Sequence, residues 1–196
     1  MLKRGDTLVL ASHNKGKLRE IETTFAPFGL NIELISKYSA EEPVEDGATF
    51  IANATIKARA AMQLSNLPSL ADDSGLSVPA LNGEPGVDTK PFVDAQGGYD
   101  IATQNILQRA GTPQTRAQFT CVLILSFPDG REIQAIGELP GTLTYPGSGG
   151  EGFGFDPYFI PDGDTETMAT LGIDVKNKIS HRALALRQMI EKLDLS

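Results

Sequence analysis

A polar segment, Ser12-His13-Asn14-Lys15-Gly16-Lys17, separates a short apolar run from a stretch with helical periodicity. Backbone N–H groups at the start of a helix, together with the helix dipole, favour an anion. The two lysines of the segment add positive charge, and its serine and asparagine add neutral donors. It is not a Walker A loop, because the earlier glycine is absent and Leu18 replaces Ser or Thr. The segment is either a phosphate-binding turn or a polar helix start with two solvated lysines.

Carboxylates at two places in the chain could hold a metal ion. Asp72-Asp73 end an apolar run, and Glu45 precedes an alanine-rich helical pattern. Since consecutive strand residues point to opposite faces, we expect one aspartate to face a ligand and the other to brace the turn. Magnesium needs only one or two protein carboxylates when substrate phosphates supply further oxygens. The alternative for Asp72-Asp73 is an Asx turn before Gly75, which is common for an Asp-Ser-Gly sequence.

Asn53 and Lys57 are four residues apart on the alanine-rich pattern, so a helix there puts both on one face. That face lies just after Glu45 in the sequence. The pair either belongs to a binding site or is a capped helix with a solvated lysine.

A glycine-rich segment at 150–157 contains two aromatic residues, Phe153 and Phe155. Small residues let the backbone approach a ligand, and either ring could stack on a base. It is not a dinucleotide fingerprint, because no strand–turn–helix pattern surrounds it. The alternative is a mobile surface loop with both rings in the core.

Cations occupy the predicted start of the last helix. Ser180 is a good N-cap residue, and His181 and Arg182 follow in the first turn, where positive charge opposes the helix dipole. This placement favours a ligand that carries hydrogen-bond acceptors, although exposed arginines at helix starts are common.

The apolar patterns predict the elements that position these residues. They predict strands at Thr7–Ala11, Asn31–Ser36 and Ser69–Asp73, and helices at Lys15–Phe28, Thr49–Ser65, Tyr99–Arg109 and from about Ser180. A hairpin follows the third of these helices, with strands over Phe119–Phe127 and Arg131–Leu139 and a turn at Pro128-Asp129-Gly130. Alternating helices and strands followed by a hairpin predict an α/β fold with a mixed sheet. No linker divides the chain, so we expect a single domain over 1–196.

Composition and charge restrict the class of protein. The chain has 196 residues, 40% of them hydrophobic, and a net charge of −8. A negative chain argues against binding DNA or RNA, which needs a basic face. We expect no membrane segment, because no apolar run is long enough to span a bilayer. The single cysteine, Cys121, fits a reducing compartment, so we expect a cytoplasmic protein.

Taken in order, the motifs resemble the HAM1-like inosine/xanthosine triphosphate pyrophosphatases. The resemblance runs from Leu8 to about Leu193. It is carried by SHNKGK at 12–17, EDGATF at 45–50, NATIKARA at 53–60, LADDSGL at 70–76, FGFDP at 153–157 and KISHR at 178–182. Each block alone is common, whereas their joint order and spacing are specific.

The resemblance implies an elongated α/β fold with two lobes, a nucleotide cleft between them, and a homodimer. It also implies hydrolysis of inosine, deoxyinosine and xanthosine triphosphates to the monophosphate and pyrophosphate, with Mg²⁺ as cofactor. It places Asp73 as proton acceptor, and Glu45 and Asp73 at the metal. Beyond the resemblance, we expect Lys57 to be a catalytic residue that, like Lys15 and Lys17, stabilises phosphate oxygens. The substrate-binding residues that the resemblance implies are Ser12, His13, Asn14, Lys15, Gly16, Lys17, Ser74, Phe153, Gly154, Phe155, Asp156, Lys176, His181 and Arg182. We add Asn53 to them, because it shares a helix face with Lys57.

The chain departs from the family pattern at two places. Ala52 stands where the family usually has a glutamate, so a carboxylate beside the site is missing. Val87–Phe92 replaces a family segment that usually contains an arginine, and we expect this change to affect catalysis or assembly rather than metal binding. Three alternatives stay open: a Maf-like pyrophosphatase, a catalytically silent nucleotide-binding protein, and a structural dimerisation module.

Overall fold

The computed structural model describes residues 2–12, 15–41 and 43–194, and it leaves the side chains of residues 15 and 16 undescribed. Two predicted site residues, His13 and Asn14, therefore lie outside the described residues, and of Lys15 and Gly16 only the helical backbone is described. In the described part of the chain, no helix is both long and apolar enough to cross a membrane.

The described chain contains six strands and seven α-helices, which are numbered here in sequence order. The strands are β1 (Thr7–Leu10), β2 (Asn31–Leu34), β3 (Ser69–Ser77), β4 (Gln114–Ser126), β5 (Glu132–Thr144) and β6 (Phe159–Pro161). The helices are α1 (Lys15–Phe25), α2 (Phe50–Ser65), α3 (Thr89–Gln96), α4 (Tyr99–Ala110), α5 (Met168–Leu171), α6 (Ile173–Ile179) and α7 (His181–Leu193).

The described strands form one sheet in the order β2-β1-β3-β4-β5-β6. β1 pairs in parallel with β2 and with β3, whereas β5 and β6 are antiparallel. β4 and β5 are neighbours joined by a tight turn in which the Phe127 N–H donates to the Arg131 carbonyl at 2.9 Å. The predicted α/β class with a mixed sheet is confirmed.

Local capping explains the bounds of α2, which carries two predicted site residues. The Thr49 hydroxyl accepts a hydrogen bond from the Ala52 N–H, which satisfies one of the free donors at the helix start. Asn66 adopts a left-handed conformation (φ 54°) and ends the helix. The predicted helix over Thr49–Ser65 therefore matches the structure to within one residue.

The prediction that Ser69–Asp73 ends in an acidic turn is wrong. Asp72 and Asp73 lie inside β3, which continues to Ser77, and seven of its nine residues are buried. The turn preference of an Asp-Ser-Gly sequence is local, and it is overridden here because both carboxylates find charged partners inside the fold.

The hairpin strands are longer than predicted, with 13 residues each. Cys121, Leu123 and Leu125 alternate on one face of β4 as predicted, but Val122 and Ile124 on the other face are buried as well. The prediction missed residues 114–118 at the start of β4, where exposed or half-buried positions alternate with buried ones. Because these five residues are polar or small, their sequence shows no apolar alternation that would predict a strand. Four further elements were not predicted, namely α3, β6, α5 and α6.

The described chain divides into two compact units. Unit 1 contains Met1–Asp73, Cys121–Gly137 and Ala185–Ser196, and unit 2 contains Ser74–Thr120 and Glu138–Leu184. β3, β4 and β5 contribute residues to both. The predicted single domain over 1–196 stays a prediction.

Each unit has its own hydrophobic core. In unit 1, β1, α1, β4 and α7 supply the largest cluster, in which Leu8, Phe25 and Leu123 have no exposed surface. In unit 2, the aromatic rings of Phe119, Phe155 and Phe159 pack with α4 residues such as Ile106.

Two isoleucines of α4 provide a matched test of the unit 2 core. Ile106 is fully buried, whereas Ile101 is 49% exposed on the same helix. We expect Ile106→Ala to lower the free energy of unfolding by about 2–5 kcal/mol, because it removes buried methyl groups and leaves a cavity. Ile101→Ala should change it by less than about 0.5 kcal/mol. Urea unfolding of both variants measures the difference, and equal losses would contradict this description of the core.

Candidate functional site

The Lys57 ammonium lies between two carboxylates in unit 1. Its Nζ is 2.6 Å from Oε2 of Glu45 and 2.9 Å from Oδ1 of Asp73. Glu45 comes from the loop before α2, Lys57 from α2 and Asp73 from β3. The structure therefore brings together three predicted site residues, and Lys57 is not the solvated lysine of the alternative reading, because its side chain is only 13% exposed.

Asp72 faces a different lysine. Its Oδ1 is 2.9 Å from Nζ of Lys17, which α1 supplies, and the aspartate side chain is 1% exposed. Strand alternation thus separates the two carboxylates as expected, but the expectation that the second one only braces a turn is wrong. Asp72 instead fixes a lysine of the predicted phosphate-binding segment.

A cavity of about 170 Å³ adjoins these groups within unit 1. Its polar wall contains Ser12, Lys17, Glu45, Lys57 and Asp72, and its apolar wall contains Ala11, Ile35, Pro43, Ala60, Ala61 and Leu64. Glu41 also lines it. No sequence pattern predicts the apolar wall, because its residues come from separate segments that have no shared motif.

Burial and charge shift the pKa values of the central pair. Burial raises the pKa of Asp73, the Lys57 charge opposes this rise, and the nearby Glu45 and Asp72 carboxylates add to it. Burial would lower the pKa of Lys57, but the charges of Asp73 and Asp72 and hydrogen bonds to Glu45 and Asp73 raise it overall. The cluster thus holds more negative charge than Lys57 alone can neutralise.

These carboxylates fit a magnesium ion that completes its shell with other oxygens. Oδ2 of Asp73 is buried and has no hydrogen-bond partner within the described residues. A buried carboxylate oxygen without a donor is costly, so a cation or an ordered water is its expected partner. Across the described ranges, no cluster of three or more His, Cys, Asp or Glu side chains is arranged for a metal. Two carboxylates with substrate phosphates are sufficient for magnesium, whereas zinc would require a different set of ligands.

Asn53 contacts the loop that carries Glu45. Its Oδ1 accepts a hydrogen bond from the Gly47 N–H at 2.8 Å, and the residue is 5% exposed. The sequence predicts that Asn53 and Lys57 lie on one face of α2. In the structure Asn53 contacts Gly47 and Lys57 contacts Glu45, and both partners belong to the loop before the helix. The contact with Gly47 was not predicted.

The first predicted segment is partly described. Ser12 is half-buried and its N–H donates to the Leu10 carbonyl at 2.9 Å. α1 begins at Lys15, so the predicted helix start is confirmed. Lys17 has 21% of its side chain exposed and lines the cavity.

A second cluster lies in unit 2 around Asp156. Its Oδ2 accepts hydrogen bonds from Nζ of Lys176 at 2.5 Å and from the Phe153 N–H at 2.7 Å. Lys176 is 4% exposed, and its ammonium lies 3.7 Å from the centre of the Phe153 ring. A Cβ at Gly152, which has φ 86°, would lie 2.2 Å from Oδ2 of Asp156, so only glycine fits there.

The two aromatic residues of the glycine-rich segment have different environments. Phe155 is 3% exposed and packs edge-on against Tyr99, with ring centres 4.9 Å apart. Phe153 is 47% exposed. The prediction that either ring could stack on a base is therefore wrong for Phe155, because its ring belongs to the core. Gly154 follows Phe153 in a left-handed conformation (φ 71°) near the Tyr99 ring.

The cations at the start of α7 are held in place. Ser180 caps the helix, since its hydroxyl accepts a hydrogen bond from the Ala183 N–H at 3.2 Å. The His181 ring stacks on Phe119 with centres 4.8 Å apart and an angle of 14°. Arg182 is 4% exposed, so the alternative interpretation of an arginine exposed at the helix start is wrong. Ser74, on β3, is half-buried.

The departure at Val87–Phe92 forms a 3-10 turn and the beginning of α3. Thr89 is buried, and its hydroxyl accepts from the Leu76 N–H at 2.9 Å and donates to the Gly86 carbonyl at 2.6 Å. The altered segment is thus attached to the unit 2 end of β3.

Comparisons with known proteins agree over nearly the whole chain. The model of the Ham1 family matches residues 8–192. A dITP/XTP pyrophosphatase of Rhodospirillum centenum is 45% identical over 192 residues, which cover 96% of this chain and 95% of that protein.

Solved structures give the same assignment. The Ham1 protein of Staphylococcus aureus has a TM-score of 0.86 at 34% identity, and covers 96% of this chain and 98% of its own. A HAM1 protein of Coxiella burnetii has a TM-score of 0.87 at 33% identity, and covers 97% of this chain and 100% of its own. On sequence and fold together, the chain belongs to the Ham1 family.

Proposed function

We propose that the protein hydrolyses non-standard purine nucleoside triphosphates, among them those of inosine, deoxyinosine and xanthosine, to the monophosphate and pyrophosphate. The observation that carries the proposal is the Glu45–Lys57–Asp73 cluster, in which Lys57 and Asp73 are largely buried and one oxygen of Asp73 has no partner within the described residues. It is supported by relatives that are named dITP/XTP pyrophosphatases and match almost the full length. Family membership favours this function over the Maf-like alternative.

Glu45 and Asp73 would hold Mg²⁺, which when bound neutralises phosphate charge. Lys17, held by Asp72, and Lys57 would bind phosphate oxygens, together with the N–H groups at the start of α1. The N-terminal segment at 12–17 would complete this phosphate site. Positioning and charge stabilisation of this kind supply most of the catalysis in phosphoryl transfer.

Asp73 would also take the proton of the attacking water. Burial raises the pKa of Asp73, which makes it a stronger base than an exposed carboxylate. Its Oδ1 is held by Lys57 at 2.9 Å, so the side chain has one fixed orientation while Oδ2 remains available.

The unit 2 cluster would recognise the base. The exposed Phe153 ring provides a stacking surface, and Lys176, His181 and Arg182 provide donors. Hypoxanthine and xanthine have an acceptor oxygen at position 6, where adenine has an amine. If adenine were bound, these donors would meet an amine at position 6 in place of an acceptor. Such a mismatch can lower kcat/KM for the wrong base strongly.

Three further properties remain proposals. We infer that the protein is a homodimer, that it acts in the cytoplasm, and that it does not bind nucleic acid. The net charge of −8 supports the last of these.

Product analysis tests the reaction directly. We expect inosine triphosphate to give inosine monophosphate and pyrophosphate, with activity lost in chelator and restored by Mg²⁺, because the proposed ligands are carboxylate oxygens. Ion-exchange chromatography of the products, across a panel of nucleoside triphosphates with and without Mg²⁺, is the measurement. Release of single phosphate would refute the proposed reaction, and nucleotide binding without turnover would indicate a silent binding protein.

The two aspartates of β3 should differ in their effect on catalysis. Asp73→Asn should lower kcat by about 10²–10⁴-fold, because an amide is neither a base nor an anionic ligand. Asp72→Asn should lower it by less than about tenfold, because the amide oxygen still accepts a hydrogen bond from Lys17. Steady-state kinetics measure both, and thermal unfolding shows whether each variant is folded. Equal losses would show that the assignment of the two carboxylates is wrong.

Arg182 should determine base choice, because a guanidinium only donates hydrogen bonds. Arg182→Ala should reduce kcat/KM for inosine triphosphate more than for adenosine triphosphate, and narrow the gap by about 1–3 kcal/mol. The exposed Arg187 on the same helix gives the control Arg187→Ala, which should leave the ratio unchanged. A uniform loss on both substrates would place Arg182 at the phosphates or the sugar.

A further inference from the structure

The backbone before α2 is attached to that helix through Asn53. Oδ1 of Asn53 accepts a hydrogen bond from the Gly47 N–H at 2.8 Å, and 5% of the residue is exposed. The Asn53 N–H donates to the Thr49 carbonyl at 3.1 Å in the first turn of the helix. A loop residue is thus joined to a side chain whose own backbone is fixed.

Gly47 lies closer to α2 than any other residue type could. A Cβ at this position would be 2.6 Å from both the Ala52 Cβ and Oδ1 of Asn53. Such distances are far below the van der Waals contact of about 3.5–4.0 Å. The close approach, and not an unusual φ, is what requires glycine here.

This attachment is two residues from the Glu45 carboxylate. Residues 44–46 are exposed, and the Glu45 side chain is 38% exposed. A hydrogen bond that holds the Gly47 backbone lowers the conformational freedom of the loop beside Glu45. Asn53 holds the loop at Gly47, and Lys57, one turn later on the same face, holds the Glu45 carboxylate itself at 2.6 Å.

We propose that Asn53 is a positioning residue that fixes Glu45 in the acidic cluster, and that it does not bind substrate. The inference rests on the proposed function, because it takes Glu45 as a magnesium ligand. Residues that orient a metal ligand typically change metal affinity by about 10–100-fold when they are mutated. Asn53 should act through Glu45 to a similar extent.

Three variants and one control separate positioning from substrate contact. Asn53→Ala removes the acceptor, whereas Asn53→Asp keeps an oxygen that can accept from the Gly47 N–H. Gly47→Ala displaces the loop while Asn53 stays intact, and it keeps the test open if Asn53→Ala does not fold. Gln63→Ala removes an exposed amide from the same helix and is the matched control.

The measurements are hydrogen exchange of the Gly47 amide, calorimetric titration with Mg²⁺ in the absence of nucleotide, and kinetics with inosine triphosphate. We expect Asn53→Ala to increase the exchange rate of the Gly47 amide and to weaken Mg²⁺ binding by about 10–100-fold. Gly47→Ala should weaken Mg²⁺ binding similarly. Asn53→Asp should retain the protection and most of the affinity, and Gln63→Ala should match the wild type.

A substrate ligand would behave differently. If the Asn53 amide donated to a phosphate, Asn53→Ala would raise KM at saturating Mg²⁺ with Mg²⁺ affinity unchanged. Asn53→Asp would then be the more damaging variant, because it places negative charge beside the phosphates. Either result would overturn the proposal, as would an unchanged exchange rate of the Gly47 amide in Asn53→Ala.

The design distinguishes failure of this inference from failure of the proposed function. Amide exchange and Mg²⁺ titration need no turnover, so they decide the role of Asn53 even if the wild type releases no pyrophosphate. A wild type that binds Mg²⁺ with an affinity unaffected by Asn53→Ala would refute only the positioning role. A wild type that does not bind Mg²⁺ at all would refute this inference outright.

Discussion

The ammonium of Lys57, held between two carboxylates, determines the arrangement of unit 1 around the cavity. It connects a loop, a helix and a strand, since Glu45, Lys57 and Asp73 come from three different elements. A largely buried charge cannot be left without partners, and breaking such a pair typically costs about 3–5 kcal/mol. The loop and β3 are therefore fixed relative to α2 by an interaction that also places the reactive carboxylates. The stability of unit 1 and the geometry of the site therefore depend on the same three groups, which are the Lys57 ammonium and the carboxylates of Glu45 and Asp73.

In unit 2 a buried carboxylate, and not an ammonium, connects separate segments of the chain. Asp156 is buried and joins the Lys176 ammonium to the backbone of the glycine-rich segment. The Lys176 ammonium also lies against a face of the Phe153 ring, which is attractive because the ring face is electron-rich. A partly exposed aromatic ring is thus held in place by a buried cation. In both units, one buried charged side chain organises residues from distant parts of the chain into a defined surface. A ligand at either cluster would meet groups that are already ordered, which reduces the entropy lost on binding.

The sequence was sufficient where the determinants are local. The face that carries Asn53 and Lys57 follows from helical periodicity, and the helix starts at Thr49 and Ser180 follow from capping chemistry. It was insufficient where packing decides. Asp-Ser-Gly indicated a turn, but the partners of Asp72 and Asp73 keep the segment in β3.

The burial of Phe153 and Phe155 is a second property that packing decides and that the local sequence does not predict. Phe153 and Phe155 are two residues apart in one glycine-rich segment, and nothing in their spacing shows which ring is buried. The choice depends on Tyr99 and Phe119, which are distant in sequence. The contact between Asn53 and Gly47 was missed for a related reason, since no motif of helix starts includes a bond from the helix face to a residue six positions earlier.

The composition of unit 1 has a consequence for biosynthesis. Its core combines Leu8 near the beginning of the chain, Leu123 in the middle and Met189 near the end. During translation, the apolar surfaces of β1 and α1 therefore cannot be fully covered until α7 has been synthesised. Long-range contacts of this kind slow folding and leave hydrophobic surface exposed in the nascent chain. A nascent chain that lacks α7 would hold the acidic cluster without a completed core, so native packing of β1 and α1 depends on the synthesis of α7.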